Sequence, residues 1–217
     1  MGSEQKLYLK QVFKALELMG FEQAKQCHHL SYELVTLKGG KMSSRAGNVI
    51  LYEDVMKEAV EKAKKVSEDS AKKVAISALK YSMLNRDNNK AIVFDAEEAL
   101  SFEGDTGPYL LYTYARAHSI LEKSKKKPLF KKAPESYAVI KKMAEFPYVV
   151  QHSCNEMKPH YMAVYMHELA AAFNEFYHAN KVIGSDNEQS LLAVVKSFAS
   201  VMKSGLEMMG IPVIEKM

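Results

Sequence analysis

Apolar residues recur at three- and four-residue spacing over most of this chain, and the places where that period changes divide it into elements. Leu7, Leu9, Val12, Phe13, Leu16 and Met19 form one stripe on a helix over residues 4 to 19, which Ser3 can cap and Gly20 can end. Leu30, Tyr32 and Leu34 then alternate, which predicts a strand from Cys27 to Leu37 with one buried face, stopping at Gly39-Gly40. Helical spacing returns from Tyr52 to Val66, with Val55, Met56, Ala59, Val60, Ala63 and Val66 inside. After the polar turn Ser67-Glu68-Asp69-Ser70 it resumes from Ser70 to Leu84. Arg86-Asp87-Asn88-Asn89 breaks that helix, and Lys90 to Phe94 is short and β-branched enough for a strand. A glycine-bounded loop from Glu103 to Gly107 leads into a helix with Pro108 in its first turn. Four more helices are predicted over Ser136 to Phe146, Tyr148 to Asn155, Tyr161 to Tyr177 and Glu188 to Met209. Pro128, Pro134, Pro147 and Pro159 mark the breaks.

These elements predict a mainly α fold, a C-terminal helical bundle preceded by an incomplete α/β stretch. One helix-strand pair cannot make a stable parallel sheet, and a nucleotide-binding fold needs several such units ahead of a phosphate loop. The 217 residues, 47% hydrophobic, are ordinary for a globular protein. No apolar run approaches a membrane span and the N-terminus lacks a secretory layout, so the cytoplasm is the expected compartment. Cys27 and Cys154 make no disulfide framework. Cys27, His28 and His29 alternate faces on a strand, and His160 and His167 have no acidic or cysteine partner at ligand spacing, so no bound metal is expected. Met162, Met166, Met202, Met208 and Met209 fall where core fillers stand. The net charge of +4 is mild, but six of the ten residues from Lys123 to Lys132 are lysine. With Pro128 among them they form a loop or frayed helix end, either a solvated connection or a phosphate-contacting patch.

Two stretches carry candidate chemistry. From Gly40 to Ile50, Lys41 and Arg45 supply positive charge, Ser43 and Ser44 supply hydroxyls, and Gly40 and Gly47 let the backbone approach a polyanion. A solvated turn has the same composition. On the helix after Pro108, Tyr109, Tyr112 and Arg116 share one face. They suit stacking on bases or on one another, and core tyrosines beside a structural arginine would look the same.

Residue order adds a resemblance. Lys41-Met42-Ser43-Ser44-Arg45, followed by Gly47-Asn48-Val49, resembles the second signature of class I aminoacyl-tRNA synthetases in its arginyl-tRNA synthetase form, with Ser44 at the family's second lysine. Ala78-Leu79-Lys80-Tyr81 and Ile92-Val93-Phe94-Asp95 resemble the segment that lies against the inner corner of tRNA. Glu103 to Arg116, with Gly107-Pro108-Tyr109-Leu110-Leu111-Tyr112, resembles the opening helix of the anticodon-binding domain, Leu111 replacing a glutamine. Ala172 to Tyr177, Gly205 to Ile211 and the terminal Lys216-Met217 are similar to its later helices and end, with Leu191 at an expected arginine. The first signature, His-Ile-Gly-His, does not occur.

The resemblance implies a remnant of the catalytic domain over 1–52, a connector over 53–100 and an anticodon-binding domain over 101–217. It implies that Lys41 and Arg45 stabilise departing pyrophosphate, that Met42, Ser43 and Ser44 complete the ATP loop, and that Gln5 lies near the substrate pocket. It assigns contact with tRNA for arginine to Tyr109, Tyr112, Arg116, Asn174, Phe176, Tyr177 and Met217. The family joins arginine to its tRNA through arginyl-adenylate, using ATP with Mg2+, and tRNA must usually be bound before activation. The expectation is a monomer that binds tRNA, supplies the ATP-closing loop and is inactive alone; the alternative is a free-standing tRNA-binding module or scaffold.

Overall fold

The computed structural model describes residues 2–37, 51–65, 68–130 and 137–216. In order these form α1 (Lys6–Leu18), β1 (Val35–Leu37), α2 (Tyr52–Lys64), α3 (Ala71–Leu84), β2 (Ile92–Phe94), α4 (Ala96–Ala99) and α5 (Gly107–Lys123). They continue with α6 (Tyr137–Ala144), α7 (Phe146–Glu156), α8 (His160–Ala179) and α9 (Glu188–Met208). Val66, Lys131, Lys132, Pro134 and Ser136 of the expected elements lie outside the described residues.

At the N-terminus the helix forms but starts at Lys6 rather than at residue 4. A 3-10 turn, Ser3–Gln5, precedes it, and the Ser3 hydroxyl does not cap; its backbone N–H instead donates to the Tyr32 carbonyl at 3.0 Å. The end is as expected. Gly20 adopts φ +86, so that its N–H reaches the Glu17 carbonyl at 3.0 Å and the Phe21 N–H reaches that of Leu16 at 3.1 Å, the paired bonds that close a helix on glycine. No residue of α1 is buried; it packs on a short turn, Glu22–Gln26, and leaves Leu7 and Met19 exposed.

The expected strand from Cys27 to Leu37 is largely not a strand. Only Val35–Leu37 pairs, parallel to β2 in the register Val35 with Ile92 and Leu37 with Phe94, and Tyr32 adds one isolated bridge to Gly2. Leu30, Tyr32 and Leu34 are exposed rather than buried. The physical reason is that a ladder and a covered face both need a neighbour, and among the described residues β1 has one on a single edge. β2 stands where its β-branched run placed it.

The bundle core draws on α3, α5, α8 and α9. Val74, Leu110, Leu111, Met166, Leu169, Leu192, Phe198, Met202 and Leu206 are inaccessible, and the Phe173 and Phe198 rings stack with centroids 3.8 Å apart. Of the five methionines read as core fillers, Met162, Met166, Met202 and Met209 are buried; Met208 is exposed, because neighbours on a helix point about 100° apart. Leu191 is also buried. Pro147 stands beside the break between α6 and α7, which falls at Glu145. It occupies the first turn of α7, where its missing N–H costs nothing.

α3 serves two cores. Val74 and Tyr81 join the bundle, while Ala78 and Leu79 pack with Phe94 and Ala99 against Val55 and Met56 of α2. Its approach to α5 is closest at Gly107, where a Cβ would stand 2.2 Å from the Ser77 carbonyl oxygen. Thr106 fixes that end of α5, accepting from the Tyr109 N–H at 3.3 Å while its hydroxyl donates to the Ser101 carbonyl at 2.6 Å.

Between α3 and β2, the loop at residues 86–90 is a polar junction. Asp87 accepts from the Asn89 N–H at 2.8 Å and from Lys158 at 3.1 Å, which holds its carboxyl down at about 2. The Asn88 amide donates to the Ser31 carbonyl at 3.0 Å, the Glu33 N–H donates to Asn88 at 2.9 Å, and Lys6 donates to Asn89 at 2.9 Å. No helix among the described residues is long and apolar enough to cross a membrane.

Candidate nucleic-acid interface

Pro108 and the Thr106 cap set the phase of α5, so Tyr109, Tyr112, Thr113 and Arg116 emerge on the side facing α8. There Asn174 meets them. Its side-chain oxygen accepts from an Arg116 guanidinium N–H at 2.7 Å, and its NH2 donates to the Tyr109 hydroxyl at 2.8 Å and to Thr113 Oγ1 at 3.3 Å. The amide thus presents its acceptor to the one group that can only donate. This bond holds the guanidinium carbon 4.7 Å from the Tyr112 ring centroid and 5.2 Å from that of Tyr177. Tyr112 is 41% exposed and Tyr177 36%, so each ring keeps an open part. Such a surface offers flat π-faces and a fixed cation to a stacking ligand.

Five of the residues assigned to tRNA contact, Tyr109, Tyr112, Arg116, Asn174 and Tyr177, therefore form one connected cluster. Phe176 does not join it. Only 5% exposed, it turns into the core beside Phe173, with centroids 5.9 Å apart, and has no surface to offer a ligand. Gln5 is exposed in the Ser3–Gln5 turn just ahead of α1, not on α5 or α8. Lys41, Met42, Ser43, Ser44, Arg45 and Met217 lie outside the described residues.

A cleft of about 440 Å³ continues from the cluster, lined by Arg116, Lys123, Tyr177, His178 and Lys181. Lys123 stands seven residues after Arg116 on the same helix face, a spacing that sequence reasoning could have used. Lys181 lies in the irregular stretch after α8, with no period to reveal it.

Behind the cleft, Glu188 gathers three segments. Buried to 5% exposure, its carboxylate accepts from the Ser124 hydroxyl at 2.7 Å, Lys126 at 3.0 Å and the Gly184 N–H at 3.1 Å. The Ser124 bond first, then Lys126 and Gly184, hold the carboxyl below its ordinary value. The loop is tied again where Gln189 donates to the Lys127 carbonyl at 3.3 Å and accepts from the Leu129 N–H at 3.0 Å, so the lysine run is partly anchored to α9. Because the folded carboxyl lies below its unfolded value, its contribution to stability is full above the ordinary carboxylate range and lost as pH falls through the folded value. Glu188→Gln is expected to unfold at lower temperature than the parent at pH 7, the gap closing toward pH 3. A gap independent of pH in thermal unfolding would remove the carboxylate from this role.

His167 Nδ1 lies 3.5 Å from Asp105 with its ring on Tyr109, and His160 Nε2 lies 3.8 Å from Asp87, where burial lowers the histidine's proton affinity. Cys27 and Cys154 are free and exposed. Among the described residues, no group of three histidine, cysteine, aspartate or glutamate side chains is placed to hold a metal ion.

The sequence is similar to known proteins along its whole length. Residues 1–95 match the model for class I tRNA synthetases (R), catalytic domain, and residues 110–217 match the DALR anticodon binding domain. The arginine–tRNA ligase of Clostridium beijerinckii is 39% identical over 236 residues, covering 100% of this chain and 42% of that protein. Among solved structures, Thermus thermophilus arginyl-tRNA synthetase superposes with TM-score 0.88 at 34% identity, over 96% of this chain and 39% of that one. One from Campylobacter jejuni, described as a putative arginyl tRNA synthetase, gives 0.80 at 26%, over 100% and 47%. The chain thus spans about 40% of the length of the first relatives it matches. With the catalytic and anticodon-binding matches in succession on one fold, this chain belongs to the arginyl-tRNA synthetase family and corresponds to its C-terminal portion.

Proposed function

We propose that this chain serves the ATP-dependent attachment of arginine to its tRNA by holding the anticodon loop on the α5–α8 cluster. The observation that carries the reading is the Arg116 guanidinium, bonded to Asn174 and lying over two half-exposed tyrosine rings. Bases splayed from an RNA loop stack on such rings in any sequence, and hydrogen bonding to their edges adds selection. Tyr109 is spent on Asn174 and acts by positioning it. In this reading Lys41 and Arg45 oppose the charge that builds on the leaving pyrophosphate, Met42, Ser43 and Ser44 border ATP and its Mg2+, and Gln5 borders the amino-acid pocket. The chain works in the cytoplasm as a monomer. By itself it does not form arginyl-adenylate, since its sequence contains no His-Ile-Gly-His signature; ATP–pyrophosphate exchange by the purified chain above a contamination control would overturn that.

The test is binding across a salt series, comparing tRNA for arginine with the same tRNA carrying a different anticodon. Tighter binding to the arginine anticodon at every salt concentration is expected, together with a fall in affinity as salt rises. Equal binding to both reduces the cluster to a basic surface.

A further inference from the structure

The lysine run is not one patch. Lys126 is committed to Glu188, whereas Lys123 and Lys181 are exposed, form no ion pair among the described residues and line one cleft. They reach it from different elements. Lys123 ends α5 on the face that carries Arg116. Lys181 follows the end of α8, where the Asn180 amide donates to the Phe176 carbonyl at 2.8 Å and closes the helix. Tyr177 forms part of the wall, and the Arg116 guanidinium is common to the cleft and the stacking cluster.

We propose that this cleft is a backbone-phosphate site for single-stranded RNA, with Lys123 and Lys181 as its two cations, while Lys126 is an internal clamp that contributes nothing to RNA affinity. The chemistry follows from the juxtaposition. A nucleotide whose base lies on Tyr112 or Tyr177 carries its phosphodiester a few ångströms away, and the cleft beside those rings is where free positive charge converges. The walls are part apolar, with Val182 and Ile183, which suits a ribose above the phosphate. An ammonium group meets a phosphate as a point charge in many geometries, so the site selects the strand and its path rather than its sequence. The proposal rests on the anticodon-loop reading above.

Four proteins decide it, each as the full 217-residue chain: the parent, Lys123→Gln with Lys181→Gln, Lys126→Gln, and Tyr112→Ala. Each is titrated with tRNA for arginine between 50 and 200 mM salt and melted without RNA. The double variant is expected to bind about tenfold more weakly at the low-salt end. Its slope of log affinity against log salt should be shallower by about 1.4, two counterions at about 0.7 each on a single strand. Its melting temperature should match the parent's. Lys126→Gln should show the reverse, a lower melting temperature and the parent's slope. A double variant with the parent's slope overturns the proposal, and so does a Lys126→Gln slope reduced as much as the double variant's. If Tyr112→Ala still weakens binding while the double variant does not, the stacking reading survives and the phosphate site fails. Absence of any RNA binding by the parent ends both.

Discussion

Arg116→Ala is expected to weaken binding of tRNA for arginine by about 2 to 3 kcal/mol, roughly 30- to 150-fold. The size follows from how many neighbours lose their order at once. Removing the guanidinium strips the Asn174 oxygen of its donor at 2.7 Å and frees the amide to rotate away from Tyr109 and Thr113. It also removes the cation from both Tyr112 and Tyr177, so two half-exposed rings lose their common support. Arg116→Lys keeps the charge but lacks the planar fork and cannot bond Asn174 while lying over two rings. It should recover the salt dependence without the selectivity between anticodons. Affinity restored in full by lysine would mean that only charge matters. Circular dichroism and melting of the same variants check that the bundle is intact.

Gly107→Ala should destabilise the fold by about 3 kcal/mol, the upper end for adding one methyl group to a packed interface. The new Cβ would stand 2.2 Å from the Ser77 carbonyl oxygen and 2.5 Å from its carbon, both backbone atoms of α3. Backbone cannot swing aside, so the two helices must separate where Tyr81 meets Asp105. Gly205→Ala provides the contrast. Its Cβ would meet Met166 at 2.3 Å, the flexible end of a side chain, and alanine gains about 1 kcal/mol of helix propensity inside α9. The unfolding free energies of the two from denaturant titration should differ by the greater part of that ~3 kcal/mol, with the midpoint of Gly107→Ala the lower. Equal midpoints would show that α3 and α5 are free to part.

The long helices were legible because apolar spacing sustained over α5, α8 and α9 leaves no competing period, and the breaks at Pro159 and Gly20 have fixed backbone reasons. α4 was not foreseen. Four residues are too few to show a period, and its one signal is Asp95, whose carboxylate accepts from the Glu97 and Glu98 N–H groups at 2.9 and 3.4 Å. The alternation at Leu30, Tyr32 and Leu34 misled for a different reason: period two says that a strand would have an apolar face, not that anything lies opposite it. In the site, Tyr109, Tyr112 and Arg116 were found by spacing on one helix. Asn174 entered only through family resemblance, and its meeting with them was not foreseen, since that contact crosses 58 residues. The same resemblance took Phe176 and Tyr177 together, yet the step of about 100° between them turns Phe176 into the core and leaves Tyr177 at the surface. Lys181 and the clamp at Glu188 belong to irregular stretches and long-range bonds, which periodicity does not record.

The residue 86–90 loop gives the molecule a pivot. Asp87 is bonded to Lys158 at the α7–α8 corner, while Asn88 and Asn89 are bonded to Ser31, Glu33 and Lys6 in the N-terminal segments. Rotation of the helical bundle against those segments must therefore either strip these bonds or carry the loop along. Because β2 begins two residues beyond it and holds β1 in register, a loop that is carried along takes β1 with it. A torque applied to the bundle would thus be delivered to the N-terminal segments through this one loop.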